Sequence, residues 1–488
     1  MKDSNLRPFF EPQGVALVGA RRSPGFGYGI PVVMKHLGWG NRLRLVNPSG
    51  GTLHGLPLYK RVADIPGRVD LAVIIVPARA VPEVLTEVAA RGIRHAIIES
   101  AGFAEVGEKG LKLQDRSRRV AQKHGIRVIG PNCVGVVNTA NRFTTVEILD
   151  EALAPGPTSI IAQSGVFGTI MLDMLYQYRL HISKAVTLGN RMDVNECDAL
   201  AFLKSDTNTR VIMMYLEGAA DGVRLRDTLA EVTRDKPVLV LKSGRTEAGR
   251  SATASHTGSL SGENKIYDAV FAQTGTVRAS TLEELVEMAR VFSTQTRPPG
   301  NRLGIVTSSG SLGVMATDTA ISSGLSLPSL SRHTVGRVRE VAPGWMNVRN
   351  PLDVGPSGQY GEALAALLED PGVDMVLAIT VVPFVVFKEI GRQGLPGTSY
   401  FGDIASIQEL APRKPLVVCA VGNNDFVSQM REASGPEVPV FISPEPAVRA
   451  LAALYRYWAW RGEVLRPLQL RINTSSGGIR CPAVSPPG

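Results

Sequence analysis

Cysteine is scarce in this chain: four in 488 residues, at positions 133, 197, 419 and 481, far apart and with no C-x-x-C pair. That excludes a disulfide framework and a cysteine-built structural zinc site, and it suits a reducing cytoplasm. Long apolar runs are also missing. The longest, Met375 to Phe387, is too short to cross a bilayer and contains Pro383, and the opening MKDSNLRPFF has no apolar segment of a secretory signal. No membrane span and a cytoplasmic location are therefore expected. Aromatics make up only 6% of the residues, against 50 glycines, a balance that suits an α/β protein with many tight strand-to-helix turns. The formal net charge is +9, yet the sequence has no arginine-rich arm, RNP motif or zinc finger. Nucleic acid is accordingly disfavoured, and phosphorylated small molecules fit the scattered Lys and Arg better.

What is present is a repeated alternation of strands and helices. A chain of 488 residues is too long for one core. The apolar GVALVG at 14–19 reads as a strand, followed by the loop ARRSPGFGYG and the helix-like IPVVMKHLG. Strands RLRLVNP, VDLAVIIVPA, HAIIES and IRVIGPN follow, separated by helical stretches, which implies a parallel sheet. The first loop does not match G-x-G-x-x-G. The second strand ends in Val46-Asn47-Pro48, with no acidic residue to hold an adenine ribose. NAD is disfavoured on both counts, and a phosphate-cradling loop with Arg21, Arg22 and Ser23 remains.

A Pro-Gly-Pro boundary at 155–157 opens a second α/β unit, in which the strand SIIAQ runs into Ser164-Gly165-Val166-Phe167-Gly168. Later in the unit comes SATASHTGSLSG, residues 251–262, a segment of small and hydroxylated residues around His256 that is expected to be a flexible loop. Its hydroxyls and backbone N–H groups could serve an anion, or His256 could be an incidental loop histidine. Ser280 and Glu283 have capping-box spacing ahead of LVEMARVF. After the linker TQTRPPGNR a third unit begins, and Ser309-Gly310-Ser311-Leu312-Gly313 repeats the S-G-x-x-G turn. Each such turn follows a strand and starts a helix, so each should present free N–H groups and about half a unit of positive charge. The residues after 470 are polar and rich in Pro and Gly, and a disordered tail is expected.

Eleven ordered segments, among them VALVGARRSPG, RLVNPSGG, ESAGFAEVGEKG, GPNCVGVVN, QSGVFGT, SKAVTLGNRMDVNE, MYLEGAADG, SHTGSLSG and NPLDV, give the chain from about residue 8 to 465 its resemblance to the α subunit of NDP-forming acyl-CoA synthetases. These are the acetate–CoA ligase (ADP-forming) family, relatives of succinyl-CoA synthetase. The resemblance implies an α/β fold: a Rossmann-like CoA-binding domain over 1–150 and two flavodoxin-like domains over 151–296 and 297–470, ahead of the tail at 471–488. It implies that His256 carries a phosphoryl group between an acyl phosphate and ADP, with Glu217 as its carboxylate partner. CoA would lie along Gly19, Arg21, Ser23, Pro24 and Gly25, with Val76, Pro77, Glu99, Ser100, Pro131 and Asn132 on the path of its thiol end. The helix starts at Ser164, Gly165, Ser309 and Gly310 would hold phosphate, and Cys133 would be a small buried side chain.

Two departures stand out. Ser49 occupies a place where the family often has a lysine for CoA phosphates, which leaves Arg21, Arg22 or Lys35 for that role. The third-unit turn SSGSLG is less glycine-rich than the family's. No ATP-grasp domain is visible, so ATP or ADP with Mg would be handled by a separate ATP-grasp β subunit, in an α2β2 assembly by resemblance. A bound metal on this chain is not expected. The alternative is a CoA- or acyl-CoA-binding regulatory subunit without turnover, which would have no need of both His256 and Glu217.

Overall fold

The computed structural model describes residues 6–148, 153–257, 262–355, 357–396, 398, 401, 404–409 and 413–465. Three sheets carry the architecture. The first has seven strands, β1 (Val15–Val18), β2 (Leu43–Val46), β3 (Gly51–Leu53), β4 (Leu56–Tyr59), β5 (Leu71–Ile74), β6 (His95–Ile98) and β7 (Arg127–Ile129), in the order β3-β4-β2-β1-β5-β6-β7. All its pairs are parallel except β3 with β4. The second contains β8 (Val136–Asn138), β9 (Phe143–Thr144), β10 (Pro155–Ala162), β11 (Ile182–Thr187), β12 (Val211–Leu216), β13 (Val238–Lys242) and β14 (Val277–Ala279), in the order β14-β13-β12-β10-β11-β8-β9. The third has five parallel strands, β15 (Leu303–Thr307), β16 (Leu352–Asp353), β17 (Met375–Val381), β18 (Leu416–Val421) and β19 (Val440–Phe441), in the order β16-β15-β17-β18-β19.

The strands are apolar on both faces because helices cover both faces of each sheet. Side-chain alternation then divides a strand between two cores. Val15 and Leu17 of β1 join one cluster and Ala16 and Val18 another, and in β17 Met375, Leu377 and Ile379 separate in the same way from Val376 and Ala378.

Three features depart from the pattern read in the sequence. Residues 136–144 precede the boundary expected at 150, yet β8 pairs antiparallel with β11 and extends the second sheet. The helix Leu282–Thr294 is capped one residue later than expected: the Thr281 hydroxyl accepts from Glu284 N (3.1 Å) and the Glu284 carboxylate accepts from Ser280 N (2.6 Å). The helix Pro444–Leu465 does not serve the third sheet alone. Its Tyr457 hydroxyl donates to the carbonyl of Thr233 (2.9 Å), and the Tyr457 ring meets Phe292 with centroids 5.8 Å apart, so the helix ties the second and third sheets together. Cys133, Cys197 and Cys419 are buried free thiols. Among the described residues no helix is long and apolar enough to cross a membrane. The expected tail at 471–488 and Cys481 lie outside the described residues.

Candidate functional site

In an open parallel sheet, ligands collect outside the carboxyl ends of the strands where the strand order reverses. The first sheet reverses between β1 and β5. There Gly19 turns the chain at φ +98°, and a Cβ on it would stand 2.5 Å from the carbonyl oxygen of Ile75, so only glycine lets the two strand exits approach this closely. A cavity of about 840 Å³ opens at this point, and Gly19, Arg21, Val76, Pro77 and Ser100 are in its wall. Ser100 is fixed by donating to the carbonyl of Val76 (2.6 Å).

Lys60 and Arg61, which follow β4, also line this cavity and were missed in the sequence. Their signal was a dibasic pair at the end of a strand beside β2. Of the cations the sequence offered in place of Ser49, Arg22 donates to the carbonyl of Gly50 (2.7 Å) and Lys35 to that of His54 (2.8 Å), so both are committed to backbone. Ser23, Pro24, Gly25, Pro131 and Asn132 are not in the wall. The carbonyl of Pro131 instead accepts from Asn190 N (2.8 Å), and a Cβ at Gly189 would stand 2.2 Å from that carbonyl oxygen, so this segment seals the first sheet against the second.

Phe26 is shared with a smaller cavity of about 280 Å³, lined also by Glu99, Val134, Thr145, Glu147 and Ile170. Glu99 is 3% exposed, and its Oε1 has no hydrogen-bond partner among the described residues. Burial pushes its carboxyl well above the usual range, and the Glu147 charge adds to the rise against a hydrogen bond from Thr145. Burial thus favours the protonated form of Glu99, which lines the smaller cavity. Cys133 donates to the carbonyl of Ile98 (3.4 Å), and burial followed by the Glu99 charge pushes its thiol well up, which keeps it an unreactive thiol.

The second sheet reverses between β10 and β12. β10 leads into Gln163 and then Ser164, the N-cap residue of helix Gly165–Gln177, whose hydroxyl makes no capping bond. β12 leads into Glu217, which is 4% exposed. Gln163 spans the two: its Oε1 accepts from Glu217 N (2.6 Å) and Gly218 N (3.1 Å), and its Nε2 donates to the carbonyl of Gly218 (2.9 Å) and to Glu196 (3.3 Å). Arg191, held at φ 54°, adds bonds to the Gly218 carbonyl (2.6 Å) and Glu196 (3.3 Å). The Glu217 turn is thus locked from both sides.

Lys242, paired with Leu216 in register, ends β13 beside it. Its ammonium is buried, donates to the carbonyl of Ser243 (2.5 Å) and lies 4.6 Å from the centre of the Tyr267 ring. Burial lowers its pKa to about 8, with Arg278 adding to the fall and Glu217 opposing it. β13 is followed by helix Glu247–Thr257. The sequence predicted a loop there, but alanines at 248, 252 and 254 favour helix, and the backbone at His256 is helical. The His256 side chain lies outside the described residues.

The third sheet reverses between β15 and β17, where Ser309 and Gly310 start helix Gly310–Ser322. The two S-G-x-x-G turns are not equivalent. A Cβ on Gly310 would stand 2.7 Å from a carboxylate oxygen of Asp353, so an anionic side chain already sits against this helix start.

Residues 13–139 match the family model of a CoA binding domain, and residues 155–292 match that of a succinyl-CoA ligase like flavodoxin domain. The chain is 37% identical to the acetate–CoA ligase (ADP-forming) II of Archaeoglobus fulgidus, over 93% of this chain and 67% of that protein. It is 34% identical to the acetate–CoA ligase (ADP-forming) I subunit alpha of Pyrococcus furiosus, over 94% of this chain and 99% of that one. The fold is similar to that of the dinucleotide-forming acetyl-coenzyme A synthetase 1 of Ca. Korarchaeum cryptofilum, solved with phosphate and ADP. The TM-score is 0.85 at 31% identity, over 96% of this chain and 100% of that one.

Proposed function

The chain belongs to the acetate–CoA ligase (ADP-forming) family, and on that premise we propose that it is the α subunit of an ADP-forming acyl-CoA synthetase. It would interconvert acyl-CoA, phosphate and ADP with a carboxylic acid, CoA and ATP, through an acyl phosphate and a phosphohistidine on His256. The observation that carries this reading is the second sheet's reversal point. There a buried carboxylate, Glu217, stands beside an uncapped helix start at Ser164 and Gly165, and the neighbouring strand feeds the helix that bears His256. The reading of an inactive CoA-binding subunit has no observation in its favour.

In this account CoA enters the larger cavity of the first sheet, and its thiol end passes Phe26 into the smaller one. Glu99, whose protonated form burial favours, gives its proton to the sulfur when phosphate displaces CoA from the thioester, and in the opposite direction its carboxylate takes a proton from the thiol. The free N–H groups of Gly165 and its neighbours, with the positive end of their helix, favour phosphate at the carboxyl edge of the second sheet. Glu217 orients the His256 ring by accepting from one ring nitrogen, which leaves the other free to attack phosphorus. Nucleotide and its Mg would be held by an ATP-grasp β subunit in an α2β2 cytoplasmic assembly, a reading supported by relatives of Pyrococcus furiosus that are named as alpha subunits.

Lys60→Ala is expected to weaken CoA binding about tenfold, the loss of one charge-assisted phosphate contact. Binding of dephospho-CoA should change less if Lys60 meets the ribose phosphate, and calorimetric titration of both ligands checks this. Equal affinity of the variant and the parent chain for CoA would remove Lys60 from the site.

The Lys242 ammonium should offset the charge of phosphate arriving beside Glu217. Its pKa of about 8 makes that support pH-dependent, so phosphoryl transfer should fall above pH 8 as the ammonium discharges. The fall would not reflect unfolding. A lysine whose folded value lies below its ordinary 10.5 binds fewer protons in the folded state across that window, so its contribution to stability improves as pH rises from about 8 to 10.5. Lys242→Met should lower the rate at neutral pH and remove this alkaline limb. An unchanged pH profile in the variant would exclude the role.

A further inference from the structure

A third cavity, of about 840 Å³, lies at the opposite end of the second sheet from the catalytic edge. Its wall begins at Pro155, where β10 starts, and includes His181 and Arg210, which immediately precede β11 and β12. Arg179 enters from the end of helix Gly165–Gln177, and Arg431 with Glu432 from helix Asn424–Ala433 beside the third sheet. The cavity therefore bridges the two sheets at their amino edges, and no step of the reaction described above uses it.

Its charges are poorly matched. Arg290, behind the wall, is 4% exposed and donates to the carbonyl of Val438 at 3.5 Å. Burial, then repulsion from Arg431 and Arg179, pushes its guanidinium down to about 10. A buried guanidinium among other guanidiniums is costly unless an anion joins it. Arg431 has a buried Nε with no hydrogen-bond partner among the described residues. The acids nearby compensate only in part. Glu432 lies 3.8 Å from Arg179 with both side chains largely exposed, Glu437 is on the rim, and Glu283 accepts from Tyr178 (3.2 Å). Glu287, on the Arg290 helix, is raised to about 7 by burial, with Glu283 and Glu284 adding to the rise and Arg449 and Arg431 opposing it, so at neutral pH it is about half protonated.

We propose that this cavity binds a small polyanion, a molecule carrying two or more phosphate or carboxylate groups, held by Arg179 and Arg431 and bridging the second and third sheets, with Arg210 fixed in the wall by donating to the carbonyl of Ser293 (2.9 Å). Arginine suits both kinds of group because its planar fork meets either one through paired N–H donors. The concave wall, with Pro157, Leu180 and Pro436 between the cations, fits a compact molecule. Helix Gly165–Gln177 spans from the phosphate turn at Ser164 to this wall, so a ligand here would brace the far end of the element that begins the catalytic edge.

The test is calorimetric titration of the full chain with inorganic pyrophosphate and, separately, with citrate, repeated on Arg431→Gln and Arg179→Gln. Saturable binding of at least one probe is expected, weakened about tenfold or more by each variant. The tighter of the two probes identifies phosphate or carboxylate as the recognised group. Arg179 is half-exposed, so its variant keeps the test valid should Arg431→Gln fail to fold. Thermal unfolding without added anion supplies a second readout: Arg431→Gln should melt no lower than the parent chain, since it relieves repulsion on Arg290. No binding of either probe at millimolar concentration overturns the proposal. So does binding that both variants retain in full, which would place the anion at the Ser164 edge. The result is independent of whether His256 carries phosphate.

Discussion

His256→Ala is expected to abolish acyl-CoA synthesis, with a loss of about a thousandfold or more, while CoA binds as tightly as before. The separation follows from the layout. The CoA cavity belongs to the reversal point of the first sheet, whereas the helix bearing His256 follows β13 of the second. A covalent phosphoryl carrier has no substitute among its neighbours, for the flanking Ser255 and Thr257 are poor acceptors without a base. Glu217→Gln should do less, about ten- to a hundredfold, because it keeps the acceptor and loses only the charge that orients and stabilises the imidazolium. CoA titration beside steady-state rates distinguishes the two. A His256→Ala enzyme that retained its rate would remove the phosphohistidine from the mechanism, and one that also lost CoA would mean that the two reversal points are not independent.

Glu99→Gln is the second large effect, about a hundredfold on thioester formation and breakdown. The amide matches the carboxylic acid in size and keeps the site neutral, so packing around the buried side chain is preserved, but it cannot pass a proton to or from sulfur. The loss should be confined to the half-reaction that involves CoA. Exchange of phosphoryl between ATP and ADP through His256, measured in the assembled enzyme without CoA, should run at the parental rate. Equal losses in both half-reactions would show that Glu99 supports the fold and does not carry the proton. The high folded-state value also has a sign in stability: the native state binds a proton that the unfolded chain gives up above the usual carboxylate range, so Glu99 costs stability progressively as pH rises from that range.

Much of the fold was legible because its signals are local. Apolar strands such as VALV at 15–18 and VIMMYL at 211–216 are buried at every position or nearly so, and they read as uninterrupted apolar runs. Gly19 was legible as a turn residue, and Val76 and Pro77 fall beside it because they follow β5, which flanks β1, while Ser100 follows β6, the next strand out. What the sequence could not reveal depends on strand order. Lys60 and Arg61 come from a strand two places away from β1 in the sheet, and no periodicity announces that they reach the same cavity. The crossing of residues 136–144 into the second sheet is a matter of non-local pairing, invisible to a reading that places boundaries at Pro and Gly. Glu217 was readable only through resemblance, since a glutamate at a strand end is usually solvated. Its burial, and the Gln163, Glu196 and Arg191 bonds that fix its turn, exist only once β10 and β12 are neighbours. The Asp353 carboxylate at Gly310 has the same origin, and it separates two turns that look alike as sequence.

The central claim is that this chain itself carries the phosphoryl group, and the most direct measurement is intact mass with peptide mapping after incubation with acyl-CoA and inorganic phosphate. The account predicts one added phosphate, labile to acid, located on His256, discharged by ADP once an ATP-grasp partner is supplied, and absent from His256→Ala. An unmodified chain across a panel of acyl-CoA substrates, with CoA bound and the partner present, would contradict it.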